Sequence, residues 1–161
     1  MRTLYLVRHA KASRDGNFKD WERPLLEVGI QRANKVSKVL KRKNICPDKI
    51  ISSHAFRALN TAVIFSANMK CRQELIEISN DVYGKDGWHL LQLIKKQSDG
   101  IHSLMLVGHE PYLSGLFEVL TGKLFPDTFS TSAVVCIRIN RKSWKDAGEK
   151  SGGVIFIEKG K

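Results

Sequence analysis

Two histidines stand at the ends of closely similar apolar runs, Leu4-Tyr5-Leu6-Val7-Arg8-His9 and Leu104-Met105-Leu106-Val107-Gly108-His109. A neutral imidazole can attack phosphorus, and a guanidinium matches two phosphate oxygens, so Arg8-His9 joins a nucleophile to an anion holder. A third segment, Ser52-Ser53-His54-Ala55-Phe56-Arg57-Ala58, reads as a strand end, an N-cap at Ser53 and an arginine in the first turn of a helix. A helix N-terminus offers N–H donors and a partial positive charge to an anion. A side chain in the first turn also leans back toward the preceding residues, which aims Arg57 at the same place. His109 precedes Pro111, placed to open another helix. Arg8, His9, Arg57 and His109, with one or two helix N-termini, make a pocket in which every group is positive or a donor. Such a site stabilises the equatorial oxygens during in-line phosphoryl transfer.

These four residues converge only if the right elements carry them. Short apolar runs alternate with segments of helical period, which predicts an α/β chain: three layers, with a mostly parallel central sheet and helices on both faces. Strands are expected at Thr3–Val7, Lys49–Ser52, Ser103–Val107, Ala133–Asn140 and Val154–Glu158. Helices are expected over about Glu27–Lys43, with Ile30, Ala33, Val36 and Leu40 inward, and over Ala55–Met69, with Ala58, Ala62, Phe65 and Met69 inward. Two more are expected at about Gly87–Lys96 and from Pro111 to Thr121, while Arg72–Gly84 holds a short strand and a loop. In such sheets ligands gather beyond the carboxyl ends of parallel strands, so His9 and His109 meet there if their strands are neighbours.

A length of 161 residues fits one domain over 1–161, and 42% hydrophobic with 27% charged residues excludes disorder and fibrous repeats. The formal charge of +11 favours anionic partners. Much of that excess, in Arg32, Lys35, Lys38, Lys41, Arg42 and Lys43, reads as the solvated face of one helix. Nucleic acid is not expected as a partner, because stacking aromatics do not interleave with the basic residues and no recognition motif appears. No apolar run reaches the length of a signal peptide or membrane span, so no membrane partner and a cytoplasmic location are expected. Cys46, Cys71 and Cys136 are widely spaced and read as reduced, buried thiols, neither bridges nor a zinc site. His9, His54, His89, His102 and His109 contain no i, i+4 pair, so no metal and no other cofactor is expected.

From Leu6-Val7-Arg8-His9-Ala10 through Arg23-Pro24-Leu25 with Gly29, Ser52-Ser53 with Arg57-Ala58 and Thr61, to Val107-Gly108-His109-Glu110-Pro111, the chain resembles the histidine phosphatase superfamily, also called phosphoglycerate mutase-like. The resemblance implies that fold, a phosphorylated nucleophile at His9, and a phosphate pocket of Arg8, Arg57 and His109. The short length, Lys11-Ala12-Ser13 and Asp20-Trp21-Glu22-Arg23-Pro24-Leu25 look most like the small phosphohistidine phosphatase branch. It thus implies hydrolysis of a phosphorylated protein or small phosphorylated molecule without metal, a phosphohistidine protein first. The alternatives are a small-molecule phosphomonoesterase or mutase, and a non-catalytic phosphate- or nucleic-acid-binding module. Ala10 stands where many members of the family have glycine, a change compatible with an extended backbone. No carboxylate is singled out as a leaving-group acid: Asp15, Asp20, Glu74, Glu77 and Asp81 read as solvated surface acids, and Tyr83 as a packing residue at the pocket rim.

Overall fold

The computed structural model describes all 161 residues. Six strands form one sheet: β1 (Arg2–Arg8), β2 (Lys49–Ser53), β3 (Ile76–Ser79), β4 (Ser103–Gly108), β5 (Val134–Ile139) and β6 (Gly152–Glu158), in the order β3-β2-β4-β1-β5-β6. β3, β2, β4 and β1 run parallel, while β5 and β6 are added antiparallel at one edge. The sheet is thus mixed and mostly parallel. The central strands are buried on both faces and read as continuous apolar runs for that reason.

Alternation along the central strands assigns each side chain to a layer. Tyr5, Val7, Met105 and Val107 face α1 (Glu27–Arg42) and α2 (Phe56–Met69), packing on Ala33, Val36, Leu40, Ala58, Ala62 and Phe65. Leu4, Leu6, Leu104 and Leu106 face the opposite layer, α3 (Gly87–Lys95) and α4 (Tyr112–Thr121), and pack on Leu90, Ile94, Leu113, Leu116 and Phe117. Three layers with helices on both faces follow, and both cores abut the strands that carry the histidines. α1 differs from its expected stripe at one place: Gly29 is buried and Ile30 only half-buried. A Cβ on Gly29 would collide with the backbone of Lys11, two residues after His9. The glycine lets α1 press directly on the loop that leaves β1.

Two other expectations are corrected and one is met. Ser53 ends β2 instead of capping α2; Ala55 holds the cap position, and the Ser53 hydroxyl accepts from the Ala55 amide at 3.2 Å. Pro111 opens α4 as expected, from the cap position: its carbonyl accepts the first helical bond, from the Gly115 amide at 3.0 Å. Cys46 and Cys71 are joined as a disulfide, their Cα atoms 5.7 Å apart. The chain leaves α2 beside the loop that enters β2, a proximity that a separation of 25 residues does not announce. Cys136 is a free, buried thiol, and burial pushes its pKa up to about 11. No helix is long and apolar enough to cross a membrane.

Candidate active site

The register of β1 on β4 pairs Arg8 with Gly108, so the next residue of each strand, His9 and His109, leaves the sheet at the same level. The His9 amide donates to the Gly108 carbonyl at 3.0 Å, and the two rings lie 5.1 Å apart between centroids. Each imidazole has one engaged nitrogen. His9 Nδ1 lies 2.7 Å from the Ala10 carbonyl oxygen, which can only accept, so the Nδ1 of the neutral ring carries the proton and Nε2 keeps its lone pair. His109 Nε2 lies 2.8 Å from the Ser53 hydroxyl, leaving its buried Nδ1 without a protein partner.

α2 reaches back to the same strand end through Thr61. The Thr61 hydroxyl donates to the Arg57 carbonyl at 2.6 Å and accepts from the Ala10 amide at 2.8 Å, tying the arginine's turn to the backbone after His9. Ala10 has no left-handed backbone, which explains why alanine serves where glycine is frequent in the family. Arg57 is 5% exposed and donates to Asp20, from Nη1 to the carbonyl at 2.6 Å and from Nη2 to Oδ2 at 3.0 Å. Arg8 donates from Nη1 to the Phe129 carbonyl at 2.8 Å. All four expected residues, Arg8, His9, Arg57 and His109, line one cleft of about 970 Å³.

Asp20 is an exposed acid and Tyr83 a packing residue at the rim, as their sequence context implies, but both also belong to the site. Asp20 accepts from Arg57, from Arg23 Nη1 at 3.0 Å and from the Tyr83 hydroxyl, whose ring also stands edge-on to His109 at 5.6 Å. The Tyr83 hydroxyl does most to hold the Asp20 carboxyl far below the usual carboxylate range; burial, next in size, opposes it, and the Arg23 and Arg57 guanidiniums add to the lowering. Asp20 is therefore a fixed counter-charge to Arg57 and carries no proton to give near neutral pH. Of the other acids, Asp15 lines the cleft, while Glu74, Glu77 and Asp81 do not. Glu77 pairs with Lys49 at 2.7 Å, and Asp81 with His89 at 3.1 Å. Glu110, not among those acids, also lines the cleft, but its oxygens accept from the amide and hydroxyl of Ser114. It caps α4, so an amide of that helix turns to Glu110 and not to a ligand. The Glu-x-x-x-Ser spacing was the available signal. No three His, Cys, Asp or Glu side chains converge as a metal site.

Burial lowers both imidazoles: His9 to about 4, with Arg57, Arg8 and Arg23 adding to burial against the Ala10 hydrogen bond, and His109 to about 3, with His9 and Arg57 adding. Both are neutral at pH 7. The unfolded chain takes up these protons near pH 6.5, so below that it binds more protons than the folded one. The stabilisation is complete above about pH 6.5 and is lost as pH falls toward about 4, the folded pKa of His9. Calorimetry should show Tm falling between pH 7 and 5, less steeply in a His9→Gln/His109→Gln variant. A slope unchanged by the substitutions contradicts the burial of neutral rings.

A family model described as the histidine phosphatase superfamily (branch 1) matches residues 4–122. An uncharacterized protein of Mycobacterium tuberculosis is 29% identical over 136 residues, 84% of this chain and 80% of its own length. An uncharacterized chloroplastic protein of Arabidopsis thaliana is 29% identical over 160 residues, 94% and 72% of the two chains. Among solved structures, that of a candidate phosphohistidine phosphatase SixA from Agrobacterium tumefaciens is similar at a TM-score of 0.83 and 25% identity, covering 98% of this chain and 97% of its own. The protein histidine phosphatase SixA complexed with tungstate has the same fold, with a TM-score of 0.83, 18% identity and coverage of 98% and 97%. Matched from its first strand past the end of α4, with Arg8-His9 and His109 inside the matched span, this chain belongs to the histidine phosphatase superfamily (branch 1).

Proposed function

We propose that the protein hydrolyses phosphohistidine in a phosphoprotein through a covalent phosphoryl group on His9 Nε2. The hydrogen bond from His9 Nδ1 to the Ala10 carbonyl carries this reading, because it turns the lone pair of a neutral ring outward at a site lined by Arg8, Arg57 and His109. Nε2 attacks phosphorus, the bond from phosphorus to the leaving imidazole breaks, and the departing ring takes its proton from water. Water then attacks phosphorus, the Nε2–phosphorus bond breaks, and inorganic phosphate leaves. The Nε atoms of Arg8 and Arg57 and Nδ1 of His109 are buried without a protein partner, which supports their turning to the equatorial oxygens as donors when a phosphoryl group is bound.

Substrate preference follows from the acids. Asp20 is held ionised, and the carboxylate of Glu110 is engaged by Ser114. Asp15 accepts from the Asn17 amide at 2.9 Å and Asp127 faces Lys159 at 3.8 Å, so no cleft acid stands free to protonate the leaving group, which must depart with little help. Imidazole and phenolate do so more readily than an alkoxide. General acid catalysis contributes about 10²- to 10⁴-fold, so sugar and serine phosphates should lag phosphohistidine and aryl phosphates by roughly that factor. The experiment is log kcat/KM against leaving-group pKa over phosphohistidine protein, phosphoramidate, aryl phosphates and sugar phosphates. A steep negative slope is expected, whereas a flat line would put the small-molecule phosphomonoesterase reading first. With Arg8 and Arg57 supplying the positive charge, chelators should leave turnover intact and vanadate should inhibit it. Activity lost to chelator and restored by a divalent metal would contradict the mechanism.

A further inference from the structure

The cleft is far larger than a phosphoryl group requires, and its lining is the opposite of a small-molecule pocket. Such pockets hold roughly 300–1,000 Å³ and are lined mainly by hydrophobic and aromatic side chains. Here about 970 Å³ is lined by 20 residues, of which only Ala12 and Phe18 are hydrophobic. Eight of the lining residues are Lys or Arg against four Asp or Glu. Arg8 and Arg57 account for the reacting group, and Arg23 is bound to Asp20 and to the Ser13 carbonyl.

The remaining lining cations fall into two groups by their place in the chain, here called the two lips of the cleft. Lys11 and Arg14 on the loop after β1 and Arg32 on α1 make one; Lys159 and Lys161, beyond β6, make the other. Lys11, Arg14, Arg32 and Lys161 take part in no ion pair, and Lys159 is only 3.8 Å from Asp127, both side chains being exposed. Charges that are spread, mostly exposed and unpaired fit a ligand whose own charges are spread to match. With few apolar walls, the part of the ligand beyond the phosphoryl group is hydrophilic.

We propose that the two lips dock an acidic stretch of polypeptide, so that the phosphohistidine reaching His9 is flanked by Asp and Glu. The proposal deepens the phosphoprotein reading and rests on it for the identity of the reacting group. Docking itself is measured without turnover, so the two can fail separately. The probes are fluorescently labelled, unphosphorylated His-containing peptides with Asp/Glu, Ser/Gly or Lys flanks, titrated with the protein and followed by anisotropy. At low salt the acidic peptide should bind about 10-fold or more tighter than the neutral one, since complementary charge is the main source of attraction. The difference should collapse near 0.5 M salt, where the Debye length is only about 4 Å. It should also vanish in an Arg32→Glu/Lys161→Glu variant whose circular dichroism matches the wild type. Equal binding of the three peptides overturns the proposal, as does a preference that survives in the variant. Stronger competition against the acidic peptide by citrate, or by an oligonucleotide of equal charge, would assign the lips to a compact anion or to nucleic acid instead.

Discussion

His9→Ala should lower kcat by about 10⁴-fold or more, the scale on which losing a nucleophile acts in enzymes that pass through a covalent intermediate. Alanine removes the only nitrogen in the cleft whose neighbour is fixed as protonated, namely Nε2 opposite the Nδ1–Ala10 bond. His109 cannot substitute, because its Nε2 is held by Ser53 and its Nδ1 serves the phosphoryl oxygens as a donor. His9→Gln keeps more of the buried volume and should fail equally, which separates loss of chemistry from loss of packing. Steady-state rates on an aryl phosphate check both variants, and substantial activity in either contradicts a nucleophilic His9.

Arg57→Ala should cost on the order of 10²- to 10³-fold in kcat/KM, as removal of one preorganised oxyanion donor does. Its partner makes the loss worse. Asp20 is fixed by Tyr83 and Arg23 as well as by Arg57, so its carboxylate stays in place when the arginine goes and repels the incoming phosphoryl group. Adding Asp20→Asn to Arg57→Ala should therefore recover part of the loss, whereas Asp20→Asn alone, with its backbone carbonyl still holding Nη1, should cost far less than Arg57→Ala. Arg57→Lys should recover only part of the activity, because an ammonium cannot hold Asp20 and a phosphoryl oxygen in one planar fork. Equal kcat/KM for Arg, Lys and Ala at position 57 would remove it from the pocket.

The parts of the site legible in the sequence are those written in local pattern. The two strand ends were visible because each apolar run stops on a histidine, and the helix after Arg57 because Ala58, Ala62, Phe65 and Met69 recur at its period. That β1 and β4 are parallel neighbours in register could be named only as a condition, since periodicity does not give strand order. The part that Asp20 and Tyr83 play in the site is illegible for the same reason. They are 63 residues apart, in a polar loop and within a weakly patterned segment, and the bonds of Asp20 to Tyr83 and to Arg57 exist only after the sheet has formed. Ser53 illustrates a nearer miss: its type suits an N-cap, but one further residue of strand makes its hydroxyl a partner of His109. The Cys46–Cys71 bridge depends on the return path of α2, which no spacing rule encodes.

The covalent intermediate is the central claim, and trapping it is the most direct test. Mixing enzyme with phosphorus-labelled substrate and quenching within milliseconds should leave one phosphoryl group per active chain. The label should survive alkali, be lost in acid, and map by peptide sequencing to His9, attached at Nε2 by phosphorus NMR. Label on His54 or His109, label stable to acid, or a full burst of phosphate with no protein-bound label would contradict the account.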